Sequence, residues 1–207
     1  MAVNLDGGCV VATLREGVHG DLLSLRAIDV SGHAALRNAD AEEVLYVLEG
    51  TGLANGQPIA ANSGIYLPPE STLTLEGTMT LVSVQCFDPA TQQLSNPATQ
   101  IVTLDAQPAH KTADRWYREL IQGQVTQFVG GIPPGRAPDH FHLYEEVLCI
   151  LDGEGEMWAG ASHAPIAKGS CIFLPRRQMH CVENRGSGEL RLLGVFFPAG
   201  SPAVRYS

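Results

Sequence analysis

The sequence predicts an all-β chain, and three observations carry that expectation. Apolar runs at residues 44–48, 65–67, 81–84, 147–151, 171–174 and 190–197 are short and bounded by Gly, Pro, Asn or Asp. The chain holds 22 glycines and 13 prolines in 207 residues, spread evenly, which signals many turns rather than disorder. Long stretches with a 3.6-residue apolar period are absent. This is the rhythm of a sandwich or barrel. One segment stays open: Thr112 would cap a short helix carrying Trp116, Leu120 and Ile121, yet Trp116, Arg118 and Leu120 also alternate as a strand.

An internal repeat organises the chain. Residues 42–53 read EEVLYVLEGTGL and residues 145–156 read EEVLCILDGEGE, with seven of twelve positions identical. Further on, Ile65-Tyr66-Leu67-Pro68 answers Ile172-Phe173-Leu174-Pro175. The offsets are 103 and 107, so the second copy carries a four-residue insertion. A tandem duplication follows, with its seam near residues 105–111, where Pro108 lies and no apolar run occurs.

Composition excludes several functions. Acidic residues number 22 against 13 basic ones, and only Lys111 and Lys168 are lysines. A net charge of −9 without a basic tract argues against nucleic acid and against an anionic membrane surface. No apolar run approaches a bilayer span, and residues 1–6 lack the pattern of a signal peptide. The five cysteines, Cys9, Cys86, Cys149, Cys171 and Cys181, are odd in number and widely spaced. They read as reduced, buried thiols of a cytoplasmic protein.

The second copy concentrates the chemistry. His140 and His142 lie two apart, so on a strand they share a face. Glu146 follows after a segment that permits a turn, and His180 and Asn184 come after the strand ending at Pro175. Imidazole and carboxylate form a ligand set for Fe, Mn, Ni, Cu or Zn, without choosing among them. Three histidines and one carboxylate leave two positions open on an octahedral ion, where substrate, water or dioxygen binds.

Here the sequence resembles the cupin superfamily. Residues 135–153 look like the first cupin motif: a glycine, His-x-His, a glutamate and a closing glycine. The gap from Gly135 to His140 is one residue shorter than usual. Gly169, Pro175, His180 and Asn184 fit the second motif without departure. The resemblance covers both halves and implies a bicupin, two tandem double-stranded β-helix (jelly-roll) barrels over residues 8–104 and 112–204. It implies one divalent transition metal per chain, held by His140, His142, Glu146 and His180. In the first copy, Arg37, Ala39 and Leu73 stand opposite the three histidines and only Glu43 survives, so that barrel reads as degenerate and free of metal.

Around the site, Arg136, Gln127 and Tyr144 are candidates for direct contact with substrate, and Met157, Trp158, Phe173 and Met179 for apolar pocket walls. The remaining histidines, His19, His33, His110 and His163, read as surface residues, His163 alone lying where it would reach the mouth of the site. The expected function is a metal-dependent enzyme of dioxygenase type acting on a small organic molecule. A redox-neutral isomerase, epimerase or hydrolase is the first alternative, and a small-molecule binding or sensing protein the second. A homodimer is the expected assembly.

Overall fold

The computed structural model describes residues 1–37, 40–87 and 98–207, and strands dominate them. Two three-residue 3-10 turns, Asp6–Gly8 and Leu104–Ala106, are the only helical segments among the described residues. The ambiguous stretch after Thr112 is a strand, Arg115–Gln122, paired antiparallel with Thr126–Ile132. Pairing decides it: the period-2 face of Leu120 packs into a sheet core, which no isolated helical turn at this site supplies.

Three antiparallel sheets make the fold. An eight-stranded sheet runs in the order Val3–Asn4, Val10–Thr13, Ser170–Leu174, Glu145–Asp152, Leu190–Phe197, Thr126–Ile132, Arg115–Gln122 and His110–Thr112. The strand Val10–Thr13 thus joins the second half, beside Ser170–Leu174. A four-stranded sheet, Gly135–Arg136, His180–Asn184, Glu154–Ala159 and Ser162–Ala167, lies over one face of it. A seven-stranded sheet from the first half lies against the other face.

Strand alternation decides what each face does. On Glu145–Asp152, Val147 and Cys149 point towards the seven-stranded sheet, whereas Leu148 and Ile150 point towards the four-stranded one. Val44, Tyr46, Val82 and Val84 meet Val147, Val195 and Phe197 in an apolar layer between the halves. Leu148, Ile172, Leu174, Met157, Leu192 and Phe196 fill the space between the eight- and four-stranded sheets. This second space opens at one end into the site described below. A third core, with Leu45, Ile65, Leu73, Leu75 and Leu81, lies inside the first half.

The two halves share register as well as sequence. Glu43 stands opposite Leu67 in the first half, and Glu146 opposite Leu174 in the second. A β-bulge falls between Val47 and Glu49 in one and between Ile150 and Asp152 in the other. In the first half, Gly32, Gly77 and Gly52 form one cross-strand row where the long strands turn back over their own core. Gly77 has φ +125°, and a Cβ there would lie 2.5 Å from the Thr51 carbonyl oxygen. Gly77→Ala is expected to cost at least about 2 kcal/mol of stability. Gly123→Ala, where a Cβ meets nothing within 4 Å, should stay within roughly 0.5 kcal/mol of the parent. Denaturant unfolding of the two variants checks the contrast.

Candidate metal centre

Four chain segments converge at the open end of the second-half core. His140 and His180 face each other across a backbone bridge, with His140 N–H donating to the His180 carbonyl at 3.0 Å and the reverse bond at 2.8 Å. The His142 carbonyl is fixed by the Arg177 N–H at 2.7 Å. Glu146 enters from Glu145–Asp152 on the inward parity. One nitrogen from each of His140, His142 and His180 lies within 4.8 Å of the others. Glu146 Oε2 is 3.6 Å from His142 Nε2 and 3.5 Å from His180 Nε2.

The imidazoles are oriented from behind. His140 Nδ1 lies 3.0 Å from the Pro138 carbonyl and His180 Nδ1 2.8 Å from the Gln178 carbonyl. A carbonyl only accepts, so both Nδ1 atoms carry the proton and both Nε2 lone pairs are free. His142 Nδ1 sits 3.1 Å from the Tyr144 hydroxyl, which donates to the Ser201 carbonyl at 3.2 Å and so accepts from the imidazole. All three Nε2 atoms therefore present lone pairs to a common point. Removing that acceptor, in Tyr144→Phe, is expected to weaken metal binding about 10- to 100-fold with little change in fold. A chelator competition titration reads the difference.

Electrostatics makes the same case. His142 and His180 are 5% and 4% exposed, and burial holds their pKa values down at about 3 and about 4. His140 is lowered too, first by burial. Burial pushes the Glu146 carboxyl up to about 8, and its Oε2 has no hydrogen-bond partner. A buried, unbonded carboxylate oxygen costs several kcal/mol unless something neutralises it. A divalent ion among three imidazole lone pairs and this oxygen would do so. The residues fit the metal.

The cavity above these groups has a volume of about 90 Å³. Its walls are Trp116, Phe128, Ile132, Leu192 and Phe196, with Arg115 and Arg205 among the remaining lining residues. The C-terminal tail brings Arg205 here, because Tyr206 exchanges two backbone hydrogen bonds with Phe141 beside the histidines. Arg115 and Arg205 carry no sequence signal of their own. One opens a strand of unresolved type and the other lies 25 residues beyond His180. Parity along Arg115–Gln122, once that strand was recognised, would have pointed to the first.

Several expected neighbours lie elsewhere. Gln127 has the opposite parity to Phe128, is fully buried between the halves, and donates through Nε2 to the Leu45 carbonyl at 3.2 Å. Phe173, opposite in parity to Ile172, packs into the same inter-half layer. Trp158 sits on the outer face of the four-stranded sheet, donating to Glu183 at 2.8 Å with the Arg136 guanidinium 4.3 Å over its ring. Arg136 also pairs with Asp139 at 3.1 Å, so it is held outside the cavity. His163 stacks on that outer side of Trp158 and pairs with Glu156, away from the mouth. Met157 points inward but is sealed in the core, and Met179 lies in a turn, 37% exposed. Tyr144 stacks on His142 as its support rather than lining the cavity.

In the first half, Glu43 is fully buried and its Oε1 accepts from the Ser83 hydroxyl, with Arg26 at 3.8 Å. Leu73 packs in the first-half core and Arg37 is exposed. Ala39, opposite His142 in the repeat, lies outside the described residues.

Comparison with known proteins bears on the fold. A family model described as a cupin domain matches residues 128–196. Among solved structures, a Pseudomonas aeruginosa protein described as glyoxylate-induced superposes with a TM-score of 0.73 at 14% identity, covering 99% of this chain and 94% of its own. AerE from Microcystis aeruginosa gives 0.73 at 12% identity, covering 95% and 96%. Bacillus subtilis oxalate decarboxylase, reported with Mn(II) centres, gives 0.70 at 13% identity, covering 97% of this chain and 76% of its own. No curated protein matches. No described helix is long and apolar enough to cross a membrane. A cupin-domain model thus matches residues 128–196, and the chain as a whole shares the all-β fold of these solved structures.

Proposed function

We propose that the chain is a metal-dependent enzyme acting on a small organic molecule, with oxygen-activating, dioxygenase-type chemistry as the leading reading. One observation carries it: three imidazole lone pairs and an unpartnered buried carboxylate oxygen meet at the floor of a largely apolar cavity. A bound divalent transition metal would supply a Lewis acid with two open positions and, for iron, manganese, nickel or copper, one-electron chemistry. The protein's own share is positioning. Pro138, Gln178 and Tyr144 fix the imidazoles, Glu146 brings the neutralising charge, and Phe128, Leu192 and Phe196 keep water from the rest of the space.

The lining favours oxygenase over isomerase or hydrolase. Proton relay at carbon needs an acid–base pair aimed at the substrate. Among the described lining residues the only carboxylate is Glu146 and the only imidazoles are the candidate ligands. All four are committed to the metal.

The same proposal takes residues 8–104 and 112–204 as duplicated barrels forming a bicupin, the first without metal. Shared register and the matching bulges support it. Five unpaired buried cysteines support a reducing, cytoplasmic setting. A homodimer belongs to the proposal as well, and light scattering tests it.

The test of function is anaerobic reconstitution of the chelator-stripped protein with Fe(II), followed by nitric oxide as a surrogate for dioxygen. An oxygenase should give an electron spin resonance signal that candidate substrates perturb, with oxygen uptake once air is admitted. Turnover with Mn(II) or Zn(II) and no oxygen uptake would replace this reading with the isomerase or hydrolase. Ligand-induced thermal stabilisation without turnover under any metal would leave a binding protein.

A further inference from the structure

We propose that the cavity over the metal centre is a carboxylate site, in which the guanidinium groups of Arg115 and Arg205 together hold the acid group of a small, partly apolar organic acid. The inference rests on reading that cavity as the substrate site, and it adds the chemical class of the substrate.

Two like charges face one small space. Arg115 and Arg205 both line the cavity, one from the start of the strand Arg115–Gln122 and the other from the C-terminal tail. Arg115 is half-buried, its Nε has no hydrogen-bond partner, and its nearest acidic oxygen is Asp114 Oδ1 at 3.8 Å, on an exposed side chain. Burial and the Arg205 charge both act against the Arg115 cation. Two guanidinium groups on one cavity, one of them with an unpartnered buried Nε, cost free energy, which a shared carboxylate would remove. Arg205 also bears on His140, His142, His180 and Glu146, so an acid held there lies within electrostatic reach of the metal ligands.

The rest of the cavity limits the molecule. Trp116, Phe128, Ile132 and Phe196 offer apolar wall with few polar partners, and the volume of about 90 Å³ admits only a small molecule. A sugar would leave most of its hydroxyls unpaired against these walls. Phosphate monoesters are disfavoured by the same walls and by the single pair of cations. A monocarboxylate with a short chain or one ring satisfies both arginines and the apolar surface.

Isothermal titration calorimetry supplies the readout. Benzoate and butyrate would be titrated against their neutral amides, benzamide and butyramide, with metal content measured on every sample. The acids are expected to bind at least about tenfold more tightly than the amides. Arg205→Gln and Arg115→Gln should each remove about that factor while metal content stays at the parental level. Arg205→Gln lies on the tail, so it keeps the test valid if Arg115→Gln misfolds. Equal binding of acids and amides, no binding of any acid, or full acid affinity in Arg205→Gln would each overturn the inference. The two readings also fail separately. Acid selectivity in a protein that retains no metal would leave the carboxylate site standing and remove the metal reading. Full metal content without acid selectivity would do the reverse.

Discussion

Purified protein is expected to carry close to one transition-metal equivalent per chain, and His180→Ala or His142→Ala to abolish it. Each substitution deletes an Nε2 lone pair whose orientation is set from behind, by the Gln178 carbonyl or the Tyr144 hydroxyl. Two imidazoles and one carboxylate then remain, and affinity should fall by orders of magnitude rather than by the tenfold step of a lost support. Stability linked to the metal should disappear together with binding. Added metal raises the melting temperature only if it binds the native state, so the wild-type shift on metal addition should vanish in both variants. Glu43→Gln should keep the full equivalent, because Glu43 is taken up by Ser83 and Arg26 and meets no histidine of the repeat. Two tightly held equivalents per chain, or loss of metal in Glu43→Gln, would contradict the assignment of the site to the second half. Elemental analysis after exhaustive dialysis, paired with calorimetry, decides the matter.

How far this site was legible in the sequence depends on the range of each interaction. Spacing put His140 and His142 on a common face, and the resemblance of residues 135–153 to a cupin motif added Glu146. His180 came from a second local pattern, and the backbone bridge to His140 joins the two. The pocket walls failed for a different reason. Trp158, Phe173 and Gln127 are the right residue types near the right motifs, but one step of parity puts each on the opposite face of its strand. Phe128 and Ile172, their immediate neighbours, face inward instead. Register against a partner strand fixes that parity, and register is a non-local quantity. Arg205 was illegible because its position depends on two backbone bonds and a ring stack between Tyr206 and Phe141, a contact across 65 residues that no local spacing announces.

The repeat was legible for the opposite reason. Glu-Glu-Val-Leu recurs because the same strand must present the same alternation to two cores, and the bulges at residues 47–49 and 150–152 preserve it. The inter-half layer then follows. Val44 and Tyr46 in one copy and Val147 and Cys149 in the other point to a shared seam, while their neighbours fill separate cores. Glu145 crosses that seam, accepting from the Leu22 N–H at 2.9 Å and the Leu23 N–H at 3.2 Å. Adjacent glutamates thus serve opposite purposes, one tying the halves together and one facing the three histidines.

That division makes the pH dependence of stability change with metal loading. In the metal-free protein Glu146 titrates at about 8, raised by burial, against about 4.3 in an unfolded chain. Between these values the folded state holds a proton that the unfolded state has released, so stability falls as pH rises. Comparing wild type with Glu146→Gln isolates this contribution, because the three imidazoles, lowered by burial in the folded state and still partly protonated in the unfolded one near pH 6.5, are common to both proteins. The slope from this single group approaches about 1.4 kcal/mol per pH unit. Below pH 6.5 the histidines act with the opposite sign: unfolded imidazole takes up protons first, so stability is lost as pH falls towards the folded values of about 3 and about 4. Metal loading removes the upper slope, since a carboxylate neutralised by a cation gives up its proton without cost. Urea unfolding at pH 6.5, 7.0, 7.5 and 8.0, with chelator and with metal, compares wild type against Glu146→Gln. The stability of metal-free wild type relative to the metal-free variant should fall steadily as pH rises, and Glu146→Gln should retain no metal under any of these conditions. Parallel wild-type and variant curves across that range would mean that Glu146 is already ionised in the folded protein. The case for an unneutralised carboxylate awaiting a cation would then be lost.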